Sequence, residues 1–320
     1  MNILITHVSY HAAIGIIKQL RQLKNINLIG TSGIMYGYSS GSLLVDKFYP
    51  VPSDSDNNSY CKFLQNIIDL ERIDCIFTAD ENDLLLFNSK PEIFQKLICN
   101  ADSECINTFT DKLVGTIEMS KLNVPIPPIY SIRDLEKMPA STKIIIRDRV
   151  GCCSKGIIIT DNSNRKLMGF ELSDRRFIQK YIEGNEFTVD VFCDTKGEPK
   201  IIVPRERLAI RSGITYKCKI VENKQLIELC RLIYSRFCIP GFSNVQFIID
   251  QQNVAHFIEL NPRIGGTTIA SSLASINWPQ LYIENILLKK QLKSYEHYMS
   301  LVRWNAVVTR YYEEMIYYEK

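Results

Sequence analysis

The sequence predicts two architectures in one chain: an α/β lobe over about the first hundred residues, then an α+β half with mostly antiparallel strands. Three observations carry this reading. Short apolar runs alternate with segments of helical period up to about Thr78. A proline cluster, Pro125, Pro127 and Pro128, then breaks the chain. From Lys143 onward the apolar runs become short, closely spaced and β-rich.

The elements follow in order. Asn2 to Thr6 reads as a buried strand, and His11 to Leu23 as a helix with Ile14, Ile17, Leu20 and Leu23 near the 3.6-residue period. Asn27 to Thr31 is a second strand, Tyr60 to Leu70 a helix and Asp74 to Thr78 a third strand, an order that implies a parallel sheet covered by helices. The turn after the first strand, His7-Val8-Ser9-Tyr10-His11, has neither G-x-G-x-x-G nor a P-loop, which argues against a dinucleotide cofactor. His7 and His11 could be ligands or bases, but two histidines without a third partner are more often ordinary loop and helix-start residues. A helix is expected from Lys112 to about Leu122. The β-rich pieces are 143–147, 156–160, 177–181, 187–193, 200–204, 244–250 and 255–260.

Composition excludes several function classes. Lys and Arg total 38 against 35 Asp and Glu, spread without a basic run, so neither nucleic acid nor a membrane surface is an expected partner. No stretch approaches the length of a membrane span, and a cytoplasmic protein is expected. The ten cysteines show no C-x-x-C pair and no zinc spacing, so they read as buried apolar residues in a reducing compartment. Cys152-Cys153 lies near basic residues, but no partner base is identifiable.

Residues 244–250 and 255–261 flank a polar turn and predict a β-hairpin. With a two-residue loop at Gln252-Asn253, Gln246 faces Glu259 and Asn244 faces Asn261, all on one face. Val245, Phe247, Ile249, Ile258 and Leu260 then point to the other. Oxygen-bearing side chains gathered in this way suit a hard cation such as magnesium, and the same alternation also fits a solvent-facing sheet.

At Glu259-Leu260-Asn261-Pro262-Arg263, preceded by Asn244-Val245-Gln246-Phe247, the sequence resembles the ATP-grasp superfamily, particularly the synthetase lobes of the carbamoyl-phosphate synthetase large subunit. The resemblance implies an ATP-grasp fold with a Rossmann-like N-terminal lobe (1–107), a small central lid lobe (108–184) and a C-terminal antiparallel-sheet lobe (185–320). It implies ATP and Mg2+, with Gln246, Glu259 and Asn261 as metal ligands and Arg263 on the transferred phosphate. Residues 177–190 are similar to the family's interlobe hinge. There Gln179 would meet the adenine amino group, Lys180 and Ile182 would offer backbone groups, and Glu186 would accept from the ribose. Residues 144–156 are similar to the phosphate flap, with Arg147 in the lysine place, Lys155 in the loop, and Asp148 and Cys153 departing from the usual proline and glycine. Lys112 matches an earlier phosphate-binding residue.

The implied activity is ATP-dependent activation of a carboxylate as an acyl phosphate, then attack by an amine or similar nucleophile. Arg205, Arg207 and Arg211 are candidates for binding small-molecule substrates, and the same run also fits a solvated, ion-paired edge. The two flap departures keep open a non-catalytic or degenerate nucleotide-binding module. An oligomer is compatible with either reading.

Overall fold

The computed structural model describes residues 1–53, 55–151, 156–166 and 175–319. Cys152, Cys153 and Lys155, expected in the flap, lie outside the described residues.

The first sheet is parallel, as the alternation predicts. β1 (Asn2–Ile5) pairs with β2 (Asn27–Ser32) and β4 (Cys75–Phe77), and β3 (Lys47–Pro50) pairs with β2, giving the order β3-β2-β1-β4. Successive side chains point to opposite faces. Ile3 and Ile5 therefore pack with Ile16, Ile17 and Leu20 of helix His11–Leu20, while Leu4 packs with Leu64 and Ile67 of helix Asn57–Glu71. Burial on both faces explains why the strand runs are continuously apolar. Helices Glu81–Ser89 and Ser103–Thr110, which the periodicity does not single out, lead to helix Lys112–Lys121, capped by the Asp111 carboxylate on the N–H groups of Leu113 and Val114.

A small antiparallel sheet follows, in the order β5 (Ile129–Tyr130), β8 (Arg176–Lys180), β6 (Lys143–Asp148), β7 (Ile158–Asp161). The third sheet has six strands, all antiparallel: β13 (Ala255–Asn261), β12 (Gly241–Asp250), β9 (Gly184–Cys193), β10 (Pro199–Arg211), β11 (Ile214–Ile220) and β14 (Val307–Thr309). β8 passes into β9 through only Tyr181 to Glu183, so this short link joins the second and third sheets.

One face of the third sheet is largely apolar. Val189, Val191, Ile202, Val245, Phe247 and Phe257 pack on Leu226, Cys230 and Ile233 of helix Lys224–Arg236. The other face changes character along its length. Far from the link, Phe192, Val203 and Phe242 pack with Trp278 and Tyr282, but close to it the same face carries charged and amide side chains. Burying amides and charges requires partners, so this polar half is where the chemistry gathers.

The eight described cysteines are all free, and six are buried, as the spacing implied. Burial pushes their thiols above the ordinary range, as at Cys75, Cys193 and Cys230. Among the described residues no helix is long and apolar enough to cross a membrane.

Candidate active site

The hairpin expected to carry the metal ligands reaches the expected register by a route the sequence did not disclose. Its loop has three residues, Gln251 to Asn253, rather than two. Asp250 N–H donates to the Val254 carbonyl at 3.0 Å, and Asn253 takes the left-handed conformation at φ 61°. Phe247 therefore faces Phe257, one residue out of the expected register. A β-bulge at Ile258 then inserts one residue and restores the pairs Gln246–Glu259 and Asn244–Asn261. The bulge also corrects the apolar face: Phe257, 1% exposed, takes the place expected of Ile258.

Cross-strand pairing extends this face into rows. Asn261 and Asn244 lie beside Asp190, Glu259 and Gln246 beside Thr188 and Arg205, and Glu186 meets Arg207 across β9 and β10. The side chains are cross-linked. Glu259 Oε1 accepts from Gln246 Nε2 at 2.8 Å and from Asn261 Nδ2 at 3.1 Å, and Asn261 Nδ2 also reaches Asn244 Oδ1 at 3.2 Å. Asn244 Nδ2 donates to the Arg263 carbonyl at 3.3 Å, tying the turn after β13 to β12.

Three arginines surround the carboxylate. Arg147, on β6 of the second sheet, donates from Nη1 to the Ile258 carbonyl at 3.1 Å and brings Nη2 to 3.6 Å from Glu259 Oε2. The bulge thus exposes the carbonyl that docks the lid strand. Arg207 bridges Glu186 Oε2 at 3.0 Å and Gln246 Oε1 at 3.3 Å, with its other nitrogens on Thr215 and Gly213. Arg263 Nη2 donates to Asn261 Oδ1 at 3.3 Å and Nε to Glu81 Oε1 at 3.1 Å. Burial pulls the Arg147 guanidinium below its ordinary value, opposed by Glu259, and does the same at Arg207, opposed by Glu186.

The remaining candidates divide. Gln179 is 1% exposed and lies between Arg147 Nη1 and the Pro127 carbonyl, both at 3.4 Å. Lys180 gives its N–H to the Pro128 carbonyl at 2.8 Å, so only its carbonyl remains to offer a ring. Proline has no N–H to return, and that strand therefore leaves the Lys180 carbonyl unpaired at the link. Ile182 is buried beside it, and Gly184 has no room for a side chain because a Cβ would stand 2.1 Å from the Ile249 carbonyl. Lys112 reaches the Gly151 carbonyl, while Asp111 holds Arg149, so the helix start is fastened to the base of the flap.

Two of the three candidate substrate arginines are engaged in other contacts. Arg205 is 3% exposed, with Nε 2.7 Å from Asp190 Oδ2, and Asp190 also accepts from Thr268 at 2.9 Å and Ser271 at 2.6 Å. It is part of a buried hub because a charge in that position needs a counter-charge. Arg211, near the tip of the β10–β11 hairpin, stacks on Tyr216 at 4.1 Å and donates to Tyr312 at 3.0 Å. Of the three, Arg207 is the one hydrogen-bonded to a candidate metal ligand, Gln246.

Asp148, which replaces the family's proline, accepts from Arg176 Nε at 2.7 Å and fills the space where a Cβ of Gly156, at φ +73°, would stand. Its charge is neutralised within the lid. His7, at φ 51°, brings Nε2 to 3.3 Å from Asp83 Oδ1 and lies within a group with Asp80. Asp83 already accepts from Thr6 at 2.6 Å and Thr78 at 2.9 Å, so this group reads as a satisfied carboxylate bracing the ends of β1 and β4.

Glu81 is the residue that sequence reasoning missed. It stands in the first turn of its helix after the Asp80 cap, a position that looks like ordinary dipole compensation, and only the packing of the first sheet on the third carries it to Arg263.

The chain has the ATP-grasp fold, as its motifs implied. Within that class, residues 173–307 match the family model described as ATP-grasp in the biosynthetic pathway with Ter operon. Among solved structures, the biotin carboxylase β,γ-ATP complex of Campylobacter jejuni superposes with a TM-score of 0.73 at 16% identity, covering 96% of this chain and 74% of that one. N5-carboxyaminoimidazole synthetase of Staphylococcus aureus complexed with ADP gives 0.70 at 16%, covering 92% and 78%. The L-amino acid ligase of Bacillus licheniformis gives 0.68 at 14%, covering 89% and 74%. No curated protein matches the sequence. Similarity to the carbamoyl-phosphate synthetase branch rests on the motif residues alone.

Proposed function

We propose that this chain is an ATP- and magnesium-dependent carboxylate-amine ligase acting on small molecules in the cytoplasm. The observation that carries the reading is the convergence of Gln246, Glu259 and Asn261 with Arg147, Arg207 and Arg263 on one polar sheet face beside the interlobe link. The metal fits this donor set, which is all oxygen with one carboxylate, the chemistry a hard dication prefers. Gln246, Glu259 and Asn261 would hold it, and when bound it would offset charge on the ATP phosphates.

The other residues divide the remaining work. The link would hold the base through the Lys180 carbonyl and the Ile182 backbone, and Glu186 would take the ribose hydroxyls. Arg147, with Lys112 and Lys155, would position the phosphates, and Arg263 would steady charge as the γ-phosphoryl moves. A substrate carboxylate oxygen bonds to the γ-phosphorus as the bond to ADP breaks. An amine then adds to the acyl carbon, loses its proton and expels phosphate. Arg207 is the retained substrate candidate. The named structural relatives include proteins solved with ATP-type nucleotide or ADP, which supports the nucleotide part of the reading.

The test is ADP release against a panel of small carboxylic acids and amines, with mass analysis of products. Release that requires both substrates and disappears in Glu259→Gln supports a ligase. Binding of magnesium-ATP without release under every combination favours the non-catalytic module instead.

A further inference from the structure

The amine that attacks an acyl carbon has to give up an N–H proton, and the groups gathered on the polar sheet face are poorly suited to take it. Arg147, Arg207 and Arg263 are cationic donors, and Gln246 and Asn261 are neutral amides. The carboxylates there are engaged: Glu259 by Gln246 and Asn261, Glu186 by Arg207, and Glu81 by Arg263.

The N-terminal lobe brings a base to the same place. In the first sheet β1 leads to β2 on one side and β3 leads to β4 on the other, so the order reverses between β1 and β4. Open parallel sheets bind ligands at such a point, outside the carboxyl ends of the strands. His7 follows β1 there, and Asp80 and Asp83 follow β4. His7 Nε2 lies 3.3 Å from Asp83 Oδ1. Asp83 is 2% exposed and is fixed by the hydroxyls of Thr6 at 2.6 Å and Thr78 at 2.9 Å. Two residues before it, in the first turn of the same helix, Glu81 holds Arg263 at 3.1 Å. The pair therefore stands within one helical turn of the contact that joins this lobe to the turn after β13.

The ring is held in one orientation. His7 has left-handed backbone at φ 51°, uncommon for a residue with a side chain and a conformation that proteins retain where a side chain must be aimed. Tyr10 stacks on the imidazole with centroids 5.0 Å apart and 21° between the planes, and Tyr60 approaches at 6.4 Å. With Nε2 donating to Asp83, Nδ1 is the acceptor of the ring, it bonds to nothing among the described residues, and the side chain is 25% exposed. Burial pulls the imidazole down, but the bond and charge of Asp83 and the charge of Asp80 leave it above its ordinary value of 6.5. Burial pushes the Tyr60 phenol far up, so it stays protonated beside the ring.

We propose that His7 is the general base of the amine step and that Asp83 is its positioning residue. As the amine nitrogen bonds to the acyl carbon, its proton passes to His7 Nδ1. The bond from that carbon to the phosphate oxygen breaks, and phosphate leaves with the electron pair. The imidazolium then returns the proton to water. Asp83 fixes the tautomer and steadies the charge that appears on the ring. This rests on the ligase reading, and it makes the amine the substrate that meets the N-terminal lobe.

The experiment separates the two half-reactions with hydroxylamine, which is largely unprotonated at neutral pH and traps acyl phosphates without a base. Wild type and His7→Asn each receive magnesium-ATP and the panel of carboxylic acids, once with hydroxylamine and once with the panel of amines. His7→Asn should lower amide formation by about a hundredfold or more and hydroxamate formation by less than about threefold. Amide formation in the wild type should fall on the acid side as the ring takes its proton, and this limb should be missing from the residual rate of His7→Asn. Asp83→Asn should move the limb to lower pH, and a limb left in place would overturn the positioning role. Equal loss of amide and hydroxamate in His7→Asn, or an unchanged amide rate, would overturn the base. No hydroxamate from the wild type with any acid would instead overturn the ligase reading, and the base role with it. A second measurement needs no substrate: diethyl pyrocarbonate should label His7 in the folded protein, with a rate that rises with pH through a midpoint above 6.5, read by peptide mass mapping. An unlabelled His7 would show that its ring is not available as a base.

Discussion

Arg147 Nη1 donates to the carbonyl of Ile258, the single extra residue of the bulge that sets Glu259 opposite Gln246. One irregularity therefore does two things: it corrects the register of the polar face, and it supplies the acceptor that fastens the lid strand to that face. Replacing Arg147 by lysine removes the fork that reaches Ile258 and Glu259 together. Arg147→Lys should raise the KM for ATP by about tenfold, as measured in a coupled ADP assay. An unchanged KM would show that the contact is dispensable.

Glu81 reaches Arg263 across the lobe boundary at 3.1 Å. Glu81→Gln keeps the shape and removes the charge, so Arg263 should lose one fixed orientation. The expected result is a fall in kcat of about tenfold with little change in the KM for ATP. A change in that KM alone would place Glu81 with the nucleotide instead.

Asp190 holds Arg205, Thr268 and Ser271 together in the interior. Asp190→Ala would leave Arg205 buried without a partner, a loss of about 3 to 5 kcal/mol in urea unfolding. Asp190→Ala with Arg205→Met should recover much of that loss, since the stranded charge is gone. No recovery in the double variant would mean that the hydroxyl bonds to Thr268 and Ser271 carry the stability.

His7 provides a pH signature. Burial pulls its pKa down, but the bond and charge of Asp83 outweigh burial and leave it above its ordinary value of 6.5. A raised folded-state pKa means that the protonated ring stabilises the fold fully below the unfolded value, and that this contribution is lost as pH rises through the folded one. The melting temperature of the wild type relative to His7→Asn should therefore be highest near pH 5.5 and decline toward pH 8. Asparagine suits the test because it tolerates the left-handed backbone at this position. A pH-independent difference would exclude the charged pair.

Much of the fold was legible because its signals are local. Ile3 to Ile5 and Leu28 with Ile29 are consecutive buried apolar residues, as strands covered on both faces require. Helix Lys224–Arg236 carries Leu226, Ile227, Cys230, Ile233 and Tyr234 at helical spacing, a signal present in the sequence that the surrounding β-rich pieces obscured. The candidate site was legible where a motif fixed it, at Gln246, Glu259, Asn261 and Arg263. Arg205 and Arg207 could not be told apart in the same way, since both sit on one face of β10.

The sequence by itself determined the alternation of elements, the polar hairpin and the oxygen donors spaced to share a face. Tertiary structure decided which charges those donors meet: Arg147 from another sheet, Glu81 from another lobe, and Asp190 drawing Arg205 inward. The reason is range. Period and register act between neighbours along or across strands, whereas the partner of a buried charge is chosen by segments distant in the chain that only packing brings together.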